Sequence, residues 1–396
     1  MGLVTGILFF ACRGLLALIP TLALHYPIKK WVALTALVGA FAYLLITGAT
    51  IPTQRAFIMT GLVLVAVLAD RTAISLRMVA WAAAIILFIS PESMLGPSFQ
   101  MSFAAVVALV AVYEGLRDRL PRWRAKTDER GNWWRIPSLY VGGVALTTLV
   151  ASLATAPFAI YQFNRFALFG LAANLVAVPL TALWIMPWGV LAFLLMPLGL
   201  EQIALTPMGW GIEMVVGIAR MVSGWPGAAV LVPSMPQWGL ALMVFGGLWL
   251  CLWRRRWRLL GVPVLVLGLL SPFAADPPHI LISGDGKLAA VRAESGQWLL
   301  SSGRKARWTA NSWLRMTGQE ESSLWPDHGQ SPGGRLSCDG LGCLYRAEGK
   351  TVALISREDA FDEDCAVAHL VLATVPLRGA CDGPSRVIDR FDLWRN

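Results

Sequence analysis

Eight polar side chains stand at the edges of long apolar runs or inside them: Gln54, Arg55, Gln100, Ser102, Gln162, Asn164, Arg165 and Asn174. A charged residue where one apolar run meets the next normally faces a cavity or an interface between helices, which makes Arg55 and its neighbour Gln54 candidates for contact with a polar ligand. Arg55 could equally snorkel to lipid headgroups. Gln100 and Ser102 open a helix after Gly96-Pro97-Ser98. Gln162, Asn164 and Arg165 alternate with Tyr161, Phe163 and Phe166. Such an alternation suits contact with an anionic backbone together with ring stacking, although an outer loop with interfacial aromatics would read the same way. Asn174, inside an apolar run, is placed to hydrogen-bond between helices.

Other groups carry less. Cys338, Cys343, Cys365 and Cys381 cluster near the C-terminus, while Cys12 and Cys251 lie in apolar runs. The Cys338-x4-Cys343 spacing fits no common zinc site, so disulfides are favoured over metal in an oxidising compartment. The basic stretch 117–135, with Trp123, Trp133 and Trp134, resembles a nucleic-acid patch, but membrane orientation alone explains it. No catalytic residue, metal site or cofactor is assigned, and no Gly-x-x-x-x-Gly-Lys-Ser/Thr phosphate loop is present.

The elements that hold these residues follow from composition. Of 396 residues, 56% are apolar and 14% charged, against about 25% charged in soluble domains. Mean hydropathy is +0.61. Apolar runs at 3–24, 31–47, 56–69, 78–89, 102–116, 139–161, 171–195, 203–222, 238–253 and 259–273 predict about nine or ten apolar helices. The run 78–89 is short, and 203–222, with Glu213 and Arg220, could lie in the interface. Span-end tryptophans such as Trp31, Trp184, Trp238 and Trp253 suit headgroup anchoring. Residues 1–274 hold 19 Lys and Arg against 8 Asp and Glu, whereas 275–396 hold 14 against 16.

If all ten runs span, the basic clusters (Lys29 and Lys30, Arg71 and Arg77, 117–135, and Arg254 to Arg256) fall on one face. The positive-inside rule makes that face cytoplasmic. The polar stretches 48–55, 90–100 and 162–165 then share the outer face, with Arg55 and Arg165 as their basic residues, and the tail is periplasmic. The tail reads as a small α+β unit. Strands are expected at 280–282 and 288–291 around the turn Ser283-Gly284-Asp285-Gly286, then at 298–301, 351–355 and 370–375, with a helix over 306–316 and a polar loop over 319–334.

Four stretches, in order, carry a family resemblance: Gly48-Ala49-Thr50-Ile51-Pro52-Thr53-Gln54-Arg55-Ala56, Pro97-Ser98-Phe99-Gln100-Met101-Ser102-Phe103-Ala104-Ala105, Phe163-Asn164-Arg165-Phe166 and Asn174-Leu175-Val176-Ala177-Val178-Pro179-Leu180. They resemble the transmembrane region of the ComEC-type competence proteins, which pass DNA through bacterial membranes. In the tail, Gly284 to Arg292 and Ile388 to Trp394 look like a shortened form of the family's C-terminal domain. The resemblance implies a polytopic α-helical membrane domain (1–274) followed by an extracytoplasmic α+β domain (275–396), the latter a degenerate relative of metallo-β-lactamase-like domains. Many members carry a His-x-His-x-Asp-His cluster there, whereas His279, His328 and His369 are isolated, so a two-metal nuclease is not expected. Met1-Gly2-Leu3-Val4 looks like the continuation of a longer family sequence, so the start is expected to be truncated.

The expected function is therefore an inner-membrane channel component for single-stranded DNA in natural transformation. Its expected partners are the strand, the lipid bilayer, a periplasmic DNA receptor and a cytoplasmic motor or DNA-binding protein, with oligomerisation open. A small-solute or lipid transporter, or a non-functional fragment of a split competence gene, are the alternatives; no internal repeat favours the transporter.

Overall fold

The computed structural model describes residues 1–18, 26–70, 75–117, 135–274, 276–376, 381 and 384–395. The chain divides into two compact units. The first comprises Met1–Gln162, Phe166–Val230 and Gln237–Leu269, and the second comprises Phe163–Arg165, Leu231–Pro236 and Leu270–Asn396.

The first unit is helical: α1 (Gly2–Ala17), α2 (Ile28–Ile46), α3 (Ile51–Leu68), α4 (Leu76–Ile89), α5 (Pro97–Arg117), α6 (Arg135–Phe163), α7 (Gly170–Leu180), α8 (Met186–Leu195), α9 (Glu201–Ser223), α10 (Gln237–Leu252) and α11 (Gly261–Leu270). In hydrocarbon every backbone amide must be paired within the chain, and a run of apolar residues can do that only as a helix. Among the described residues seven segments are long and apolar enough to cross a membrane: Ile28–Ile46, Ile51–Leu68, Pro97–Arg117, Ser138–Phe163, Gly170–Leu198, Glu201–Ser223 and Arg256–Ala274. Three apolar helices, Val4–Ala17, Leu76–Ile89 and Gln237–Leu252, are shorter. The run with Glu213 and Arg220 is thus one of the long ones.

Two helix starts differ from the sequence reading. Pro52 and Pro97 each sit in the first turn of a helix, where the missing N–H costs nothing, so α3 and α5 begin five residues before the uninterrupted apolar runs. The break lies just upstream, where Gly48 and Ala49 both have positive φ, 70° and 48°. Between α7 and α8 the segment Thr181–Ile185, after Pro179, is wound as a single π-helical turn. Helices α10 and α11 meet backbone to backbone: a Cβ on Gly246 would lie 2.7 Å from the Gly261 carbonyl oxygen, and one on Gly268 would lie 2.7 Å from that of Gly239. Without a hydrophobic drive between helices in lipid, such small-residue contacts are what packs them.

Strands β1 (Arg165–Ala167) and β2 (Ala229–Leu231) pair with each other as a two-stranded ribbon. The second unit contains a four-layer α/β region. One sheet has the order β3-β4-β5-β6, from β3 (Ile280–Ile282), β4 (Ala289–Arg292), β5 (Trp298–Leu300) and β6 (Ser323–Leu324). The other has the order β12-β11-β10-β9-β8-β7, from β7 (Gly329–Gln330), β8 (Leu336–Cys338), β9 (Gly342–Ala347), β10 (Lys350–Ile355), β11 (Leu370–Ala373) and β12 (Arg386–Ile388). Strand periodicity sorts the core. Val291, Leu299, Leu354 and Leu372 point into one cluster shared by both sheets. Their neighbours Ala290, Trp298 and Leu300 pack under helix α12 (Arg307–Met316), while Ala353, Ile355, Val371 and Ala373 pack under α13 (Phe361–Val367). Tyr345, buried between the sheets, donates to the Arg292 carbonyl at 2.9 Å. A last helix, α14 (Arg390–Arg395), follows β12.

The expected turn between β3 and β4 is present. Ser283 Oγ donates to Asp285 Oδ1 at 2.7 Å and accepts the Leu288 N–H at 3.0 Å, and Gly286 takes φ +67°. That hydroxyl first, and the Lys287 N–H next, hold the Asp285 carboxyl down at about 2. Cys338 is bonded to Cys343 across β8 and β9, and Cys365 on α13 is bonded to Cys381. Two connections of the membrane region belong to this unit: the Ser234 N–H donates to the Met316 carbonyl at 2.7 Å, and Val232 N–H to the Asn164 carbonyl at 3.0 Å.

Candidate nucleic-acid interface

Helices α3, α4 and α5 share an apolar seam. Ile58, Met59 and Leu62 of α3 meet Ala82 and Ile86 of α4 and Phe99 and Phe103 of α5, whose rings lie 4.3 Å apart. Arg55 is one turn above Ile58 and Met59 on the same face, so helical periodicity carries its guanidinium into the top of that seam. It is only 7% exposed. Nη2 donates to Ser98 Oγ in the first turn of α5, and Nε and Nη1 are buried without a hydrogen-bond partner among the described residues.

This arrangement is electropositive by construction. Neither α3 nor α5 has an acidic residue in its first turn, although helix N-termini favour negative charge there. Among the described residues no acidic residue pairs with Arg55, and Glu92, in the connection between α4 and α5, makes no ion pair. Two cations elsewhere in the same unit do have partners: Lys30 pairs with Asp70 at 2.7 Å, and Arg254 pairs with Glu114. A buried guanidinium left with two open donor positions is costly unless an anion or water meets it.

The structure brings the three polar stretches together in pairs. Arg55 reaches Ser98, and Gln162, at the end of α6, donates through Nε2 to Gln100 Oε1 at 3.4 Å. Gln100 also donates to the Met94 carbonyl at 3.1 Å. Arg55, Ser98, Gln100 and Gln162 therefore mark one end of the bundle, where α3 and α5 begin and α6 ends. Ser98 was not singled out from sequence; its place directly after Gly96-Pro97, in the first turn of a helix, is the signal that could have found it.

The remaining candidates are placed otherwise. Gln54 is exposed and donates to the Ala49 carbonyl at 2.8 Å, bracing that residue's left-handed backbone. Ser102 is partly buried on α5, and Asn174 is exposed on α7. Asn164 is buried with φ 54°, and its side chain donates to the Val232 carbonyl at 3.3 Å. It therefore anchors the connection at 231–236. Arg165 is exposed at the start of strand β1 (Arg165–Ala167), which forms a ribbon with β2 (Ala229–Leu231). Residues 118–134, with Trp123, Trp133 and Trp134, lie outside the described residues. Among the described residues no group of three or more His, Cys, Asp or Glu side chains is gathered as a metal site.

A model of the family described as Competence protein matches residues 1–257. Searches among curated proteins and among solved structures gave no match. The matched region covers the whole helical bundle up to the α10–α11 connection, well over half of the 396 residues, and the chain belongs to the competence protein family.

Proposed function

We propose that this chain is a channel component for single-stranded DNA in the bacterial inner membrane, and that the end of the bundle carrying Arg55, Ser98, Gln100 and Gln162 is the outer mouth of the path. The observation that carries the reading is the buried guanidinium of Arg55, with no ion pair among the described residues, in a protein of the competence family. A strand with one charge per phosphate can cross a bilayer only along a polar, positively lined route, and a cation without a protein counter-ion is free to meet it. The same orientation leaves Arg165 outside and the C-terminal domain in the periplasm, by the one-sided distribution of basic loops. We assign the tail no catalytic step, because its histidines are isolated in the sequence. A periplasmic DNA receptor would deliver the strand and a cytoplasmic motor or DNA-binding protein would draw it in.

The test is uptake of labelled DNA by transformable cells whose only competence membrane protein is this chain. Arg55→Ala and Arg165→Ala should each lower uptake at unchanged membrane abundance, and Arg55→Lys should retain part of it, having the charge without the planar fork. Arg124→Ala, in the basic stretch that orientation explains, is the control. Normal uptake by the double Arg55→Ala, Arg165→Ala protein would place the path elsewhere.

A further inference from the structure

The C-terminal domain has a second concentration of positive charge that the bundle does not explain. Between residues 304 and 315 the chain carries four cations, Arg304, Lys305, Arg307 and Arg315, and no acid, although 275–396 as a whole hold more Asp and Glu than Lys and Arg. None of the four is in an ion pair among the described residues. Ser302 Oγ accepts the N–H groups of Arg304 and Lys305 at 3.3 and 3.2 Å, which fixes the segment leading into α12. One turn of α12 faces the core through Ala310 and Leu314. The opposite face presents Arg307, Trp308 and Asn311 to solvent.

Trp308 is the anomaly. It is 79% exposed, more than any other large apolar side chain described in 276–395. Its helix has a place for a tryptophan, since Trp313 packs against the core cluster five positions later. A single exposed apolar residue needs no explanation; an exposed indole in a segment of cations that make no ion pair among the described residues does. Arg315, seven residues on and hence about 10 Å along the same helical face, is held by its Nε donating to the Asn311 carbonyl at 3.0 Å. Leu324, also exposed, lies against Gly303 at the edge of the patch.

We propose that the face formed by Arg304, Lys305, Arg307, Trp308 and Arg315 is a docking surface for single-stranded nucleic acid, with Trp308 stacking on a base and the cations meeting flanking phosphates. Stacking on a lone exposed ring requires an unpaired base, which selects a single strand over a duplex, and the chemistry is tolerant of sequence because every base has a π-face. The proposal rests on the DNA-uptake reading and adds to it a contact on the tail.

The experiment uses the full chain purified in detergent and fluorescence anisotropy of labelled oligothymidylate. Trp308→Ala should weaken binding about 5- to 150-fold, the range for losing one stacked base, and Trp308→Phe should restore most of it. The Trp308→Ala defect should vanish with an abasic strand of equal length. The triple Arg304→Gln, Lys305→Gln, Arg307→Gln protein should lower the slope of log K against log salt by about 2. Unchanged affinity and slope in these variants would overturn the proposal. So would an equal Trp308→Ala defect on the abasic strand, or loss of binding only to anionic vesicles, which would make the patch a lipid contact. The two readings fail separately: patch variants that bind normally beside intact DNA uptake sink this inference alone. Strand binding through the patch in a chain that supports no uptake sinks the channel reading alone.

Discussion

Arg55→Met separates the function of Arg55 from its cost. Methionine keeps much of the length and volume of the side chain and removes the charge. In the folded protein, Nε and Nη1 are buried with no partner among the described residues, and each unsatisfied donor costs about 1–3 kcal/mol. Against that stands the charge-assisted hydrogen bond to Ser98, worth about 1.5–3 kcal/mol. The apolar seam of Ile58, Met59, Ile86, Phe99 and Phe103 directly below offers a methionine thioether favourable packing. The balance predicts that Arg55→Met is more stable than the parent by about 1–3 kcal/mol, in line with apolar replacement of poorly compensated buried charges. Ser98→Ala, which strips the remaining partner and keeps the charge, should be less stable by a similar amount. Unfolding in mixed micelles, followed by tryptophan fluorescence, measures both, and DNA uptake measured in parallel should fall with Arg55→Met despite the gain. A destabilised Arg55→Met protein would refute the reasoning, for it would mean that the guanidinium is satisfied in the protein itself and is not held open for a ligand.

Two further predictions concern the C-terminal domain. In the chain-entropy account the Cys365–Cys381 bridge, with a sequence separation of 16, contributes about 3 kcal/mol, and Cys338–Cys343, with a separation of 5, about 2 kcal/mol; Cys365→Ser should therefore lower the thermal midpoint of the domain more than Cys338→Ser, and equal midpoints with and without reductant would refute both bonds. Asp364 is buried on α13, and desolvation first, then Asp339 and Glu363, push its carboxyl above the usual range. A raised carboxylate pKa means that the folded state holds the proton more tightly than the unfolded state, so this group favours folding below about pH 4 and opposes it increasingly as pH rises from there through the folded value. Asp364→Asn should raise the midpoint at pH 7 and leave it nearly unchanged at pH 3.5, and a pH-independent effect would show that packing, not charge, is at work.

How much of this was legible in the sequence depended on which physical force wrote each element. Each apolar run lies, over its described residues, essentially on a helical segment, because lipid leaves the backbone no alternative; residues 19–24 of the first run lie outside the described residues. Counting basic loops placed 48–55, 90–100 and 162–165 on one side, and the contacts Arg55–Ser98 and Gln100–Gln162 join residues of those same stretches. Parity is a property of chain order, so it could be read. That Asn164 would serve as a left-handed anchor, or that Arg55 would have no counter-ion among the described residues, depends on what the rest of the chain brings near, and single-residue reasoning does not reach that. In the tail, strands rich in Val, Ile and Leu were visible. Leu336–Cys338 and Gly342–Ala347 were not, since Ser337, Arg346 and a cysteine pair dilute their apolar alternation. The 319–334 stretch, read as a loop, holds the short strands β6 and β7. Helix α13 was also missed, although Asp362, Glu363 and Asp364 in its first turn are the acidic start signal that helix dipoles favour.

On the channel reading we propose, the placement of cations also bears on how a strand would move. A conducting site must bind well enough to admit its ligand and weakly enough to release it. A ring of several arginines at the mouth would trap a polyanion, since each phosphate neutralised adds to the affinity. The cluster around Arg55 instead offers one guanidinium, one hydroxyl and two amides, with the amides of Gln100 and Gln162 already engaged with each other. Such a site offers a single guanidinium to each phosphate, so any one contact stays modest in affinity, and the amide pair can re-form between encounters. On this reasoning, adding a cation at the mouth should slow passage even as it tightens binding: Gln100→Arg should raise strand affinity and lower the uptake rate. A rise in both would show that capture, rather than release, limits transport.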